Sequence, residues 1–145
     1  MKIRADEHIA PKIVRAIQML VLRAGWEISH VRDVHDARTA DETWIPRFAR
    51  EGGQVILSGD RKMLARPHQI KAIAESGVIG VFLSSQWAQA QRHIQAAHLI
   101  HCWPEIERAL LESKERDCWK VPFEYGAVTL QKLSVNYSEA LGSSK

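Results

Sequence analysis

The sequence predicts an α/β fold: a mainly parallel sheet covered by helices. Three observations lead there. Segments with strand and helix patterning alternate as βαβαβ up to Asp60. Val78–Leu83 is a nearly continuous apolar run, which suits a strand buried on both faces. Two strand segments end in acids, Met1–Ala5 in Asp6-Glu7 and Val-Ile-Leu-Ser-Gly in Asp60. In open α/β sheets, ligands bind beyond the carboxyl ends of the strands. The two tips therefore suggest one shared acidic pocket.

The elements follow in order. Pro11 suits a first helical position, and Ile13, Val14, Ile17, Leu20 and Val21 recur at helical spacing. Gly25 is a natural stop, so the first helix is expected over about Pro11–Ala24. Trp26–Val31 reads as the second strand. Thr39-Ala-Asp-Glu42 has the Thr-x-x-Glu form of a capping box, which predicts a second helix from there. Pro46 should kink that helix or make its first turn irregular. Gly52-Gly53 ends it. Pro67–Glu75 forms a short helix stopped by Gly77. Gln86–His101 is helical, and Pro104 opens a separate helix to about Glu115. Trp119–Tyr125 alternates with period two, and Ala127–Leu133 is again extended, which predicts a β-hairpin with Pro122 on an edge. Tyr137–Lys145 reads as a loose tail. The expected organisation is a main domain over 1–117, a hairpin extension over 118–137 and a flexible tail over 138–145.

At 145 residues, a single domain with a sizeable core is expected. Apolar residues make up 46% of the chain, which places it among ordinary globular proteins. The formal charge of +3 is too small to identify a nucleic-acid partner by itself. Cys102 and Cys118 are far apart, with no CxxC pair, so neither a disulfide framework nor a zinc ribbon is expected. The opening residues have no apolar signal core, and no run is long enough to span a membrane. A cytoplasmic protein is the expectation.

The acids carry the chemistry. Asp6 and Asp60 stand at strand tips, with Glu7 beside Asp6. Asp41 and Glu42 stand at a helix start leading into the Asp60 strand. Carboxylates gathered on one rim repel one another, and a divalent cation with a taste for oxygen ligands relieves that. Such a cation polarises a phosphate oxygen, so phosphodiester hydrolysis is the reaction implied. Each acid also has an ordinary alternative: Asp41 or Glu42 as a helix cap, Asp60 as a turn residue, Asp6 as an arginine partner. Asp33 and Asp36 are read as solvated loop acids.

Three stretches resemble motifs of small prokaryotic PIN-like proteins. Lys2-Ile-Arg-Ala-Asp6-Glu7-His-Ile-Ala-Pro11 is similar to their opening strand and Pro-started helix. Ala40-Asp41-Glu42-Thr-Trp-Ile45 is similar to their Asp-centred helix start. Val55-Ile-Leu-Ser58-Gly-Asp60-Arg61-Lys62 is similar to their strand ending in Thr-x-Asp-Arg-Asp, with Ser for Thr and Lys for the second Asp. The resemblance covers about residues 1–85. It implies a PIN-like three-layer fold and a metal-dependent ribonuclease of the VapC toxin type, neutralised by an antitoxin protein. It further implies Asp6, Asp41 and Asp60 as catalytic ligands of Mg²⁺ or Mn²⁺, with Glu7 and Glu42 as auxiliaries. Larger PIN nucleases carry another glutamate on a central helix, which has no counterpart in the short loop before Asp41. A homodimer is reasonable on the same resemblance.

Bases border the acids. Arg61, Lys62, Arg66 and Lys71 follow Asp60, and Arg38 precedes Asp41, so all five are candidate RNA contacts. A solvated helix face would explain them equally well. Trp44 is read as a core or interface residue rather than a base-stacking platform. His98, His101 and Cys102 are read as structural rather than as zinc ligands. Two other functions compete. The incomplete acidic set fits a non-catalytic PIN-like module that binds RNA or protein. Ser84-Ser85 and Lys120-Val-Pro122 mimic parts of a phospho-receiver domain, although the basic run after Asp60 argues against it.

Overall fold

A computed structural model describes residues 1–35, 39–126 and 128–142, with Arg61 described by its backbone alone. Among these residues, six strands form one sheet: β1 (Lys2–Ala5), β2 (Glu27–His30), β3 (Val55–Ser58), β4 (Ile79–Leu83), β5 (Cys118–Val121) and β6 (Gln131–Leu133). Their order is β2-β1-β3-β4-β5-β6. The first five are parallel, and β6 runs antiparallel to β5. The α/β architecture expected from the sequence is thus the one observed.

Among the described residues, six α-helices cover the sheet: α1 (Pro11–Leu20), α2 (Asp41–Arg50), α3 (Pro67–Ser76), α4 (Ser85–Gln89), α5 (Arg92–Glu112) and α6 (Tyr137–Gly142). Alternation along the strands sorts the core into two layers. Ile3, Ala5, Val55, Leu57, Val81 and Leu83 face one way and pack with residues of α1 and α5. Ile56, Phe82 and Cys118 face the other way and pack with Trp44, Ile45 and Phe48 of α2 and Ile73 of α3. The order places β1 beside both β2 and β3. α1 returns to β2 on one face, and α2 returns to β3 on the other. The C-terminal ends of β1 and β3 therefore flank a topological switch point, where open α/β sheets have their crevice.

Three local expectations change. The first helix ends at Leu20, four residues before Ala24. The N-cap of α2 is Ala40, with no side-chain hydrogen bond, so Thr39 and Glu42 form no capping box; Asp41 and Glu42 instead place negative charge in the first turn. α2 continues through Pro46, inside the helix as the sequence places it. α5 likewise continues through Pro104 as one helix of 21 residues. An interior proline costs about 3 kcal/mol. Burial of Leu99, Cys102, Trp103, Ile106 and Leu110 along the same helix offsets that cost.

The C-terminal part is also reorganised. β5 joins the main sheet in parallel with β4, and β6 pairs along its far side, joined to it by a long connection instead of a tight turn at Gly126. Tyr137–Gly142 is helical where a loose tail is expected. Its Asn136 side chain accepts the Glu139 N–H at 3.0 Å, and the Tyr137 hydroxyl donates to the Arg116 carbonyl at 2.7 Å. Among the described residues, no helix is long and apolar enough to cross a membrane.

Candidate active site at the switch point

Asp6 follows β1 and is 2% exposed. Its Oδ1 accepts the backbone N–H groups of His8 at 3.0 Å and Gly59 at 3.3 Å, and its Oδ2 accepts the Ser58 hydroxyl. The Ser58 oxygen in turn accepts the Asp60 N–H at 2.9 Å. The tips of β1 and β3 are thereby joined through one carboxylate. Gly59 permits this closeness, because a Cβ there would stand 3.0 Å from the Cβ of His8. Behind it, the His30 Nδ1 accepts the Arg32 N–H, so Nε2 carries the hydrogen and donates to the Ile9 carbonyl at 2.7 Å. That bond pins the loop after Asp6.

Asp60 accepts the Lys62 N–H on Oδ1 at 2.9 Å. Its Oδ2 takes the Arg66 guanidinium at 2.9 Å and lies 3.6 Å from His8 Nε2. The same Arg66 nitrogen reaches Gln69 Oε1 at 3.2 Å. Gln69 then donates through Nε2 to Asp41 Oδ2 at 2.9 Å, and Asp41 Oδ1 accepts the Trp44 indole N–H at 2.9 Å. Asp6, Asp60 and Asp41 thus belong to one hydrogen-bonded network, running through Ser58, Arg66 and Gln69. Buried Trp44 anchors its far end in the α2 core.

Electrostatics follow from this enclosure. Burial pushes the Asp6 pKa up to about 6, against the pull of its hydrogen bonds and of His8. Burial also raises the Asp41 pKa; the Trp44 bond opposes the rise, and the charges of Asp60, Glu7 and Glu42 add to it. Glu7 and Glu42 are exposed near the network rather than bonded within it. The bases divide. Arg66 bonds Asp60, Lys71 lies 3.8 Å from Glu75 on its own helix, and the Lys62 side chain is exposed. Arg38 and the side chain of Arg61 lie outside the described residues.

The donor chemistry suits a hard divalent cation: carboxylate oxygens, with the charges of Asp60, Glu7 and Glu42 adding to the rise at Asp41. The arrangement differs from a ligand cage. Among the described residues, no three His, Cys, Asp or Glu side chains are grouped to hold a metal ion. The reason is visible in the network. Arg66 neutralises Asp60, and Gln69 sits between it and Asp41. His98 and Cys102 form no metal centre either. His98 is fully buried, with Nε2 3.0 Å from the Pro122 carbonyl and 3.4 Å from the Cys102 sulfur. Both cysteines are free and buried.

Three residues of the network were absent from the acidic and basic set picked out by motif. Ser58 was visible as the counterpart of the family threonine. Gly59 could be suspected from its place between a strand and an acid. Gln69 gave no local signal beyond its i+3 spacing from Arg66.

A parallel sheet with acids at its switch point defines an α/β protein with an acidic crevice. Residues 1–85 match the family model described as PIN like domain. The match covers more than half of the chain and all three acidic motifs, so the chain belongs to the PIN-like domain family. No curated protein and no solved structure matches it.

Proposed function

We propose that this protein is a metal-dependent endoribonuclease, with Asp6, Asp41 and Asp60 as the acids of its active site. One observation carries the reading: three acids from three motifs far apart in sequence meet in one network at the switch point. The family match spans the same motifs, in a family often associated with nuclease activity.

The acids, with Glu7 and Glu42 nearby, would hold Mg²⁺ or Mn²⁺ once Arg66 and Gln69 swing aside. When bound, such an ion supplies positive charge at a phosphate oxygen. The chain's own part is to hold the carboxylates in place. Ser58 and two backbone N–H groups fix Asp6, while Trp44 fixes Asp41. Exposed Lys62 and a displaced Arg66 then border the RNA backbone with positive charge. A toxin role, with an antitoxin as partner, is supported by the motif resemblance.

The test is cleavage of structured and single-stranded RNA with Mg²⁺ or Mn²⁺, comparing wild type with Asp60→Asn at matched purity. The proposal expects cleavage by wild type, its loss in EDTA, and background activity in the variant. Equal activity in both proteins would refute the site. The ungrouped carboxylates favour a second reading, a non-catalytic PIN-like module that binds RNA. That reading expects RNA binding without cleavage by either protein.

A further inference from the structure

A cavity of about 440 Å³ opens beside the acid site. Its size falls in the range of small-ligand pockets. Leu64, four residues after Asp60, and Ile70 of α3 line it together with Leu133 of β6. Phe82 lies between them, with its ring folded over Gly80, where a Cβ would stand 2.6 Å from the ring.

Sheet register ties this cavity to the acids. Ser58 pairs with Phe82, and Phe82 pairs with Lys120. The three form one row across β3, β4 and β5, on the face that carries Ile56 and Cys118. Two strand spacings, about 10 Å, therefore separate Lys120 from Ser58 along the same rim. Lys120 lines the cavity, and among the described residues no carboxylate lies within ion-pair distance of it. Glu139, an exposed side chain, also lines the cavity. Its Oε2 accepts Asn136 Nδ2 at 3.1 Å, while Oε1 accepts no hydrogen bond from the described residues.

We propose that this cavity receives one unstacked nucleobase of a single-stranded RNA lying across the acid site. Lys120 holds the adjoining phosphate, and Glu139 accepts a hydrogen bond from the exocyclic amino group of the base. Apolar walls suit the faces of a base taken out of its stack. The unpaired lysine suits a polyanion, and the cavity continues the rim on which the acids stand. Adenine, cytosine and guanine carry an exocyclic amino group for Glu139, and uracil does not. The proposal rests on the ribonuclease reading for its substrate class.

Binding without cleavage separates the two. Labelled A8, C8 and U8 RNA would be titrated into the full chain in EDTA, at several salt concentrations. A8 and C8 should bind several-fold tighter than U8. Lys120→Gln should weaken all three alike and reduce the slope of log affinity against log salt by about 0.7, the loss of one single-strand phosphate contact. Glu139→Gln should flatten the base preference. Ser134→Trp, at the exposed mouth, should weaken binding while leaving the slope unchanged. Unchanged melting transitions would establish that the variants fold.

RNA binding by wild type that none of these variants alters would overturn the pocket, even if Mg²⁺-dependent cleavage were intact. So would no binding of any octamer. An apolar dye that enters the cavity and is displaced by no octamer would assign it to a protein partner instead. Base-selective, Lys120-dependent binding without cleavage in Mg²⁺ or Mn²⁺ would uphold the pocket and sink the hydrolase.

Discussion

Replacing Asp6 by Asn should make stability less dependent on pH, in a direction fixed by burial. Burial raises the folded-state pKa of Asp6 from 3.8 to about 6. A raised pKa means the folded state holds its proton more tightly than the unfolded chain. The associated stability is fully present below pH 3.8 and is lost as pH rises through about 6. The shift of 6 − 3.8, near two units, corresponds to about 3 kcal/mol. Asn cannot ionise, so the variant escapes this loss. The stability of Asp6→Asn minus that of wild type should increase by about 3 kcal/mol between pH 3.5 and pH 7. Urea unfolding followed by tryptophan fluorescence, in EDTA, measures it. Most other titrating groups cancel in the difference. A difference that is flat or falls with pH would refute the claim that Asp6 is a carboxylate strained by burial.

Other perturbations probe the same network. Ser58→Ala removes the hydroxyl that serves both Asp6 and the Asp60 N–H, and should cost about 1–3 kcal/mol in urea unfolding, with Ser58→Thr much closer to wild type. Gly59→Ala forces a Cβ to 3.0 Å from His8 and should destabilise by about 1–3 kcal/mol in the same assay. Arg66→Ala breaks an ion pair between an exposed guanidinium and a mostly buried carboxylate and should cost about 1 kcal/mol. It should nonetheless tighten Mn²⁺ binding several-fold in calorimetric titration, because a built-in cation no longer competes for Asp60. Unchanged or weaker Mn²⁺ affinity would count against that competition.

The parts legible in the sequence were those set by local pattern. The apolar run of Val78–Leu83 and the acids at two strand tips needed only a period and a position. They identified the sheet and the rim on which Asp6 and Asp60 stand. What escaped was decided by distant contacts. Pro104 looks like a helix start until Leu99, Cys102 and Ile106 are seen buried on both sides of it. Thr39 looks like a cap, but the helix begins later, at Asp41, whose carboxylate is held by Trp44 and by Gln69 from another helix. Arg66 reads as one base in a run. The turn that carries the chain from Asp60 into α3 makes it the cation on Asp60, and packing of α3 on α2 then links its neighbour Gln69 to Asp41. The strand order itself, shared by many doubly wound sheets, left receiver and PIN-like families both open until the family match covered the acidic motifs.

The most direct test of the account is whether the three acids act as one site. Mn²⁺ binding and Mn²⁺-dependent RNA cleavage would be measured together on wild type, Asp6→Asn, Asp41→Asn and Asp60→Asn. The account predicts that wild type binds the ion and cleaves, and that each single substitution abolishes cleavage and weakens Mn²⁺ binding. Cleavage that survives any one of the three substitutions, or Mn²⁺ affinity indifferent to all of them, would contradict it.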